Sequence, residues 1–164
     1  MNAEPCIRRA AEKDIQDVLK LLVQVNMVHH HGRPDLFKGP TTKYSAGELE
    51  KLFQDETRPV FVYDDGTGHI VGHAFCIHKQ EIGDRILTDV KTLYIDDICV
   101  DENARGEHIG SKLYQHVIRY AKEHGFYNVT LNVWSCNPTA QRFYEACGMK
   151  PQKVGMEVVL SEID

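Results

Sequence analysis

The apolar positions of this chain change period along its length, and each change marks a new element. Cys6 to Arg9 reads as a short first strand. Ile15, Val18, Leu19 and Leu22 then recur at three- and four-residue steps, the spacing of one helical face. Val28 to Thr42 reads as a loop, with three histidines followed by Gly32, Pro34, Gly39 and Pro40. Ser45 and Glu48 have the spacing of a capping box, and Leu49, Leu52 and Phe53 share one face of the helix it opens. Pro59 to Tyr63 is rich in strand-forming residues. Asp64-Asp65-Gly66-Thr67-Gly68 has the chemistry of a hairpin turn, with His69 to His78 as the returning strand. A polar loop around Glu81 to Arg85 leads to a strand that ends at Val100. Ile109, Leu113, Val117 and Ala121 recur every fourth residue in a helix from Ile109 to His124, stopped by Gly125. Asn128 to Trp134 reads as a strand. Asn137 suits an N-cap, Pro138 the first helical position and Gly148 the position past the end of a further helix. Val154 to Leu160 is the last predicted strand. With no repeat, low-complexity tract or linker, this order predicts one α/β domain over residues 1–164 with a mixed sheet.

Composition narrows the partners. Of 164 residues, 42% are hydrophobic and 26% charged, an ordinary globular balance. The net charge of −5 argues against nucleic acid and against an anionic membrane surface, both of which call for basic patches, and it permits a cationic substrate. No apolar run approaches the roughly 20 residues of a bilayer span, and Met1 to Arg9 has no apolar signal core. Cys6, Cys76, Cys99, Cys136 and Cys147 have neither zinc-site nor redox-dithiol spacing, so free thiols and a cytoplasmic location are expected. His29-His30-His31 admits metal binding, solvated histidines at a helix end, or the lining of a pocket. No Cys or carboxylate is fixed beside the run by spacing, and no metal is expected.

The segment Ile98-Cys99-Val100-Asp101-Glu102-Asn103-Ala104-Arg105-Gly106-Glu107-His108-Ile109-Gly110-Ser111 carries the most chemistry. A strand runs into a glycine turn that opens directly into a helix. The first N–H groups of a helix lack internal partners, and the macrodipole adds about half a positive charge there. Glycines let a ligand approach that backbone, which suits phosphate or pyrophosphate. An ordinary strand–helix connection with two turn glycines is the alternative. The Walker loop does not fit, because three residues separate Gly106 from Gly110 and Ser111 precedes Lys112. The dinucleotide fingerprint lacks its third glycine.

The turn resembles the pyrophosphate signature of the GNAT (Gcn5-related N-acetyltransferase) superfamily: Arg or Gln, two residues, Gly, one residue, Gly or Ala. Arg105 and Gly110 match its ends, and His108 stands at the first signature glycine. Asn137-Pro138-Thr139-Ala140-Gln141-Arg142-Phe143-Tyr144-Glu145-Ala146-Cys147-Gly148-Met149 resembles the other diagnostic stretch of that superfamily. The order of elements matches from Cys6 to Leu160. The resemblance implies a single-domain fold with a central mixed, mostly antiparallel sheet flanked by about four helices. It also implies acetyl-CoA as co-substrate and direct attack by an amine, with no nucleophilic cysteine. Cys99, Cys136 and Cys147 are then expected to be packed thiols.

In family terms, the backbone of Ile98, Cys99 and Val100 pairs with the pantetheine arm, and the Val100 N–H faces the thioester carbonyl. Arg105, Gly106, Glu107, His108, Ile109, Gly110 and Ser111 hold the pyrophosphate, and Asn137 touches the cofactor. Tyr144 is the expected general acid; a core tyrosine, sharing a helical face with Ala140, Phe143 and Cys147, is the alternative. Tyr94-Ile95-Asp96-Asp97-Ile98 resembles the acidic pair of the diamine and polyamine branch. An alkylammonium must lose a proton before it attacks, which makes Asp96 the expected base and Asp97 the orienting group. Regular strand alternation puts these two carboxylates on opposite faces; solvated or lysine-paired carboxylates are the alternative. Trp134 suits either the acceptor pocket or the core, and Phe37 lies in a loop that covers the acceptor in relatives. The leading expectation is a small-amine N-acetyltransferase. The alternatives are a protein N-terminal or lysine acetyltransferase and a non-catalytic acyl-CoA-binding module. Relatives often dimerise, and nothing in the sequence fixes a homodimer interface.

Overall fold

The computed structural model describes residues 2–164. Five strands form one sheet in chain order: β1 (Cys6–Arg9), β2 (Val60–Asp64), β3 (Ile70–Gln80), β4 (Lys91–Val100) and β5 (Asn128–Leu131). The first three pairings are antiparallel and β4 with β5 is parallel, so the sheet is mixed and mostly antiparallel as expected. Helices α1 (Ile15–Gly32) and α2 (Ala46–Leu52) precede β2, α3 (Ile109–Glu123) links β4 to β5, and α4 (Pro138–Ala146) follows β5.

Strand alternation creates two cores. Val60, Val62, Phe75 and Cys99 pack with Val18, Leu21, Leu22 and Leu49 of the first two helices. Phe61, Ala74, Cys76, Leu93 and Ile95 pack with Leu113 and Val117 of α3 on the opposite face. Gly72 lets α3 sit tightly on β3: a Cβ there would lie 3.0 Å from Leu113 and 3.1 Å from Ile109. That close approach seats the start of α3 at the end of β4.

The entry to α1 is held by a part-buried ion network around the buried Asp14. Arg8 donates to both Asp14 oxygens, at 2.8 and 3.0 Å, and to Asp64 at 3.0 Å; the Ala11 N–H also donates to Asp14, at 2.8 Å. Burial works against the Asp14 charge, but Arg8 and the Ala11 N–H outweigh it and hold this carboxyl below the usual range. A depressed carboxyl stabilises the fold above its unfolded value, and the contribution is lost as pH falls through the folded one. Asp14→Asn is expected to cost about 1–3 kcal/mol in urea unfolding at neutral pH, because Arg8 keeps Asp64 as a partner. The gap from wild type should narrow below about pH 4.

Four sequence expectations need correction. The stretch from Val28 is helical through Gly32, because histidines do not break a helix and the stop comes only at Arg33, which precedes Pro34. The predicted helix start at Ser45 is present, with Ser45 Oγ accepting from the Glu48 N–H at 3.2 Å. The fifth strand ends at Leu131 rather than Trp134, because pairing with β4 stops at Ile95↔Leu131. Val154 to Leu160 has the alternating pattern of a strand but forms none: Val154, Met156, Val158 and Leu160 are exposed, and among the described residues no strand pairs with them. Alternation shows that a segment can be extended; only a neighbouring strand makes it part of a sheet. The fourth correction concerns the acidic pair and belongs to the site.

Candidate active site

The site begins at an irregularity in β4. Phe75 on β3 pairs with Asp97, but the next residue, Cys76, pairs with Ile95, so Asp96 is an extra residue, a β-bulge. Alternation restarts after the bulge. Leu93, Ile95 and Ile98 belong to the α3 core, whereas Asp97 and Cys99 lie on the α1 side. Asp96 also bonds to the connection between α1 and α2. The sequence expectation of opposite faces is therefore overturned. Both carboxylates line one cavity, because the bulge removes the half-turn that would have separated them.

The same bulge opens the sheet. β4 and β5 part after Ile95↔Leu131, leaving Asp96 to Val100 without a strand on the β5 side. The resulting cavity, about 650 Å³, lies between α1, the connection from Leu36 to Tyr44, β4, the Leu131–Trp134 segment and α4. Its wall is aromatic. Phe37 stacks on His29 at 5.0 Å and meets Trp134 edge-on at 5.0 Å, while Tyr44 stacks on Phe75 at 5.7 Å. Trp134 is 45% exposed, so it belongs to the pocket and not to the core. Of the three histidines, His29 lines the cavity, His30 pairs its Nδ1 with the Phe37 carbonyl at 2.6 Å, and His31 is exposed. Burial lowers the His29 imidazole and outweighs the opposing charge of Asp97. Among the described residues no group of three or more His, Cys, Asp or Glu is placed to hold a metal ion.

The two carboxylates have different partners. Lys43 donates to both Asp96 oxygens at 2.7 and 2.8 Å, and the Tyr44 hydroxyl adds a bond of 3.3 Å. Burial works against the Lys43 ammonium; Asp96 more than offsets it and raises the group. Asp97 instead meets His73 of β3, with Nε2 to Oδ2 at 2.6 Å. Neither Lys43 nor His73 was singled out by the sequence. Lys43 lies 53 residues from its partner and carries no local signal. His73 did carry one, a polar residue inside the apolar run Val71-Gly72-His73-Ala74-Phe75.

Tyr144 of α4 faces the same cavity. Burial pushes its hydroxyl well above the usual tyrosine range, and the negative charge of Asp97 adds to this, so the group keeps its proton at neutral pH. Asn137 caps α4, accepting from the Ala140 N–H at 3.3 Å, and Gly148 closes it at a positive φ of 99°. Cys99 is buried, and burial pushes its thiol up, as expected of a packed thiol; Cys136 and Cys147 are only half-buried.

The glycine turn enters α3 as expected. Gly106 has φ +94° and His108, the N-cap, has φ +59°. Lys112 is the first residue of the helix whose N–H reaches back, to His108 O at 3.0 Å, and no acidic side chain sits in the first turn. The N–H groups of Ile109, Gly110 and Ser111 thus form an anion-facing helix mouth. His108, at the position where the resemblance expects a glycine, has a left-handed backbone. Such a conformation costs an L-residue about 1–2 kcal/mol, part of which glycine returns as chain entropy. His108→Gly, at an exposed position, is expected to stabilise the protein by about 0.5–1 kcal/mol, read from the urea midpoint.

Bulged acidic strand, parted β4 and β5, and a glycine turn into α3 together make an open cleft in a mixed α/β sheet. A model of the acetyltransferase (GNAT) family matches residues 25–149, and the chain belongs to that family. Glucosamine 6-phosphate N-acetyltransferase from Arabidopsis thaliana is 28% identical over 97 residues, 51% of this chain and 63% of that protein. Probable glucosamine 6-phosphate N-acetyltransferase 2 from Oryza sativa subsp. japonica is 32% identical over 68 residues, 42% of this chain and 39% of that protein. The matches span less than two thirds of either relative. Among solved structures, a mutant of the BH1408 protein from Bacillus halodurans has a TM-score of 0.89 at 31% identity, covering 94% of this chain and 98% of that one. An aminoglycoside acetyltransferase from an uncultured soil metagenomic sample shares the fold, with TM-score 0.71, 22% identity, and coverage of 94% and 95%.

Proposed function

We propose that the protein is an acetyl-CoA-dependent N-acetyltransferase whose acceptor is a small cationic primary amine. The observation that carries this reading is the bulge at Asp96, which turns two carboxylates into an aromatic-walled cavity beside the protonated hydroxyl of Tyr144. Carboxylates and aromatic faces both attract an ammonium. The curated relatives are named as acetyltransferases of an amino sugar, which supports an amine acceptor.

The residues present fit the co-substrate. Ile98, Cys99 and Val100 lie on strand backbone that lacks a neighbour on the β5 side and suits the pantetheine amides. Arg105 to Ser111 supply the helix mouth and its flanking cation for the pyrophosphate, and Asn137 borders the cavity. When bound, the thioester supplies the acyl carbon that the amine attacks. Side-chain partners favour exchanging the roles that the sequence suggested for the acidic pair. Asp96 has both oxygens on Lys43, so it holds the connection between α1 and α2 over the cavity. Asp97 engages one oxygen with His73 and offers the other to the acceptor, so Asp97 takes the proton as the amine attacks. Tyr144 returns a proton to the departing thiolate.

Thiol release from acetyl-CoA on a panel of diamines, polyamines, aminoglycosides, glucosamine 6-phosphate and a lysine peptide, with mass spectrometry of the product, tests this. Release and mono-acetylation with the small cationic amines are expected. Preference for the phosphorylated sugar or the peptide overturns the acceptor class. Binding of acetyl-CoA without release on any amine overturns the enzymatic reading and favours an acyl-CoA-binding module.

A further inference from the structure

The side chain of His73 is fully buried, and its Nδ1 is a buried polar atom that meets no hydrogen-bond partner among the described residues. It sits on β3 opposite Cys99, one diagonal step from Asp97 on the same face of the sheet. Phe75, which lines the cavity, meets its ring edge-to-face at 4.8 Å. A fully apolar side chain would fill this space without leaving a polar atom bare, so packing alone gives no reason for histidine here.

The ring makes one strong bond, between Nε2 and Asp97 Oδ2 at 2.6 Å, and because a carboxylate only accepts, Nε2 donates the proton of that bond. Asp97 is thereby fixed by a group behind the pocket wall, where substrate and bulk water do not compete for the bond.

We propose that His73 is a positioning residue: it clamps Asp97 Oδ2 from beneath so that Oδ1 stays aimed at the acceptor amine. The inference rests on the reading of Asp97 as proton acceptor. It adds to that reading a buried partner that never touches substrate. Orienting a reacting group by a buried hydrogen bond typically governs the rate of the chemical step more than binding, because a displacement of about 1 Å costs on the order of 100-fold.

Steady-state kinetics of His73→Leu, His73→Gln and His73→Asn, with Asp97→Asn and the Asp97→Asn/His73→Leu double variant beside them, test the proposal. The acceptor is whichever amine gives wild type its highest rate. A glutamine amide reaches about as far as imidazole Nε2, and an asparagine amide only as far as Nδ1. Expected is a loss of about 10- to 100-fold in kcat for the Leu and Asn variants, with KM for acetyl-CoA within about twofold of wild type. The Gln variant should recover most of that loss, and His73→Leu should add nothing once Asp97 is Asn. Equal losses in the Gln, Asn and Leu variants would show a space-filling residue and overturn the clamp. Full kcat in His73→Leu, with Asp97→Asn impaired, overturns the clamp and leaves Asp97 in place. Full kcat in Asp97→Asn overturns the underlying reading. Should the Leu variant not fold, the contrast between Gln and Asn decides the same question.

Discussion

Tyr144→Phe is expected to lower kcat by about 100- to 10,000-fold, the usual range for a lost general acid, while acetyl-CoA binding changes little. The ring of Tyr144 packs at the edge of the α3 core, with Phe143 as its edge-on neighbour at 5.1 Å, and phenylalanine preserves that packing. The substitution removes only the hydroxyl, and with it the proton for the departing thiolate. Burial and the nearby Asp97 charge both hold that proton on Tyr144. A hydroxyl raised in the folded state binds its proton more tightly than in the unfolded one. Ionisation of Tyr144 therefore does not limit the wild-type rate below about pH 10, and stability drawn from the buried neutral phenol is lost only as pH rises above that value. Calorimetric titration of CoA and stopped-flow thiol release separate the two effects. Wild-type turnover in the Phe variant, under conditions where chemistry limits the rate, would remove Tyr144 from the mechanism.

Asp97→Asn is expected to lose about 100- to 10,000-fold in kcat/KM for the amine, and Asp96→Asn substantially less. The substitution keeps the size of the side chain and its capacity to bond His73, but it removes both the charge that attracts an ammonium and the site that takes its proton. At Asp96 the carboxylate already has a cation, Lys43, in contact with both oxygens. Loss of that pair should loosen the connection over the cavity and raise KM for the amine more than it lowers kcat. The measurement is the pair of Michaelis constants and turnover numbers for each variant. A larger kcat loss at Asp96 than at Asp97 would restore the assignment suggested by the sequence.

The sequence made much of this architecture legible because several signals were local. Ile109, Leu113, Val117 and Ala121 announced α3 and are all buried in it. Asn137, Pro138 and Gly148 bounded α4 through capping chemistry that depends only on neighbours in the chain. The glycine turn could be located, and His108 within it adopts a left-handed backbone. Tyr144, to which the motif pointed, lines the cavity. Val154 to Leu160 alternates like a strand but forms none, because alternation specifies an extended chain and not a partner.

The sides of Asp96 and Asp97 were beyond local reading for a related reason. Period-two alternation is a rule about a regular strand, and whether β4 is regular depends on its register against β3. That register skips one residue at Asp96, which is a property of two strands together. Lys43 and His73 joined the site by the same route, from 53 and 24 residues away. The chain by itself determined the order of elements through α4, the glycine turn into α3 and the bounds of α4, because helical periodicity, caps and glycine turns are written within a few residues. The tertiary structure alone decided which carboxylate faces which partner and where the sheet opens, because hydrogen-bond register and burial exist only once distant strands have met.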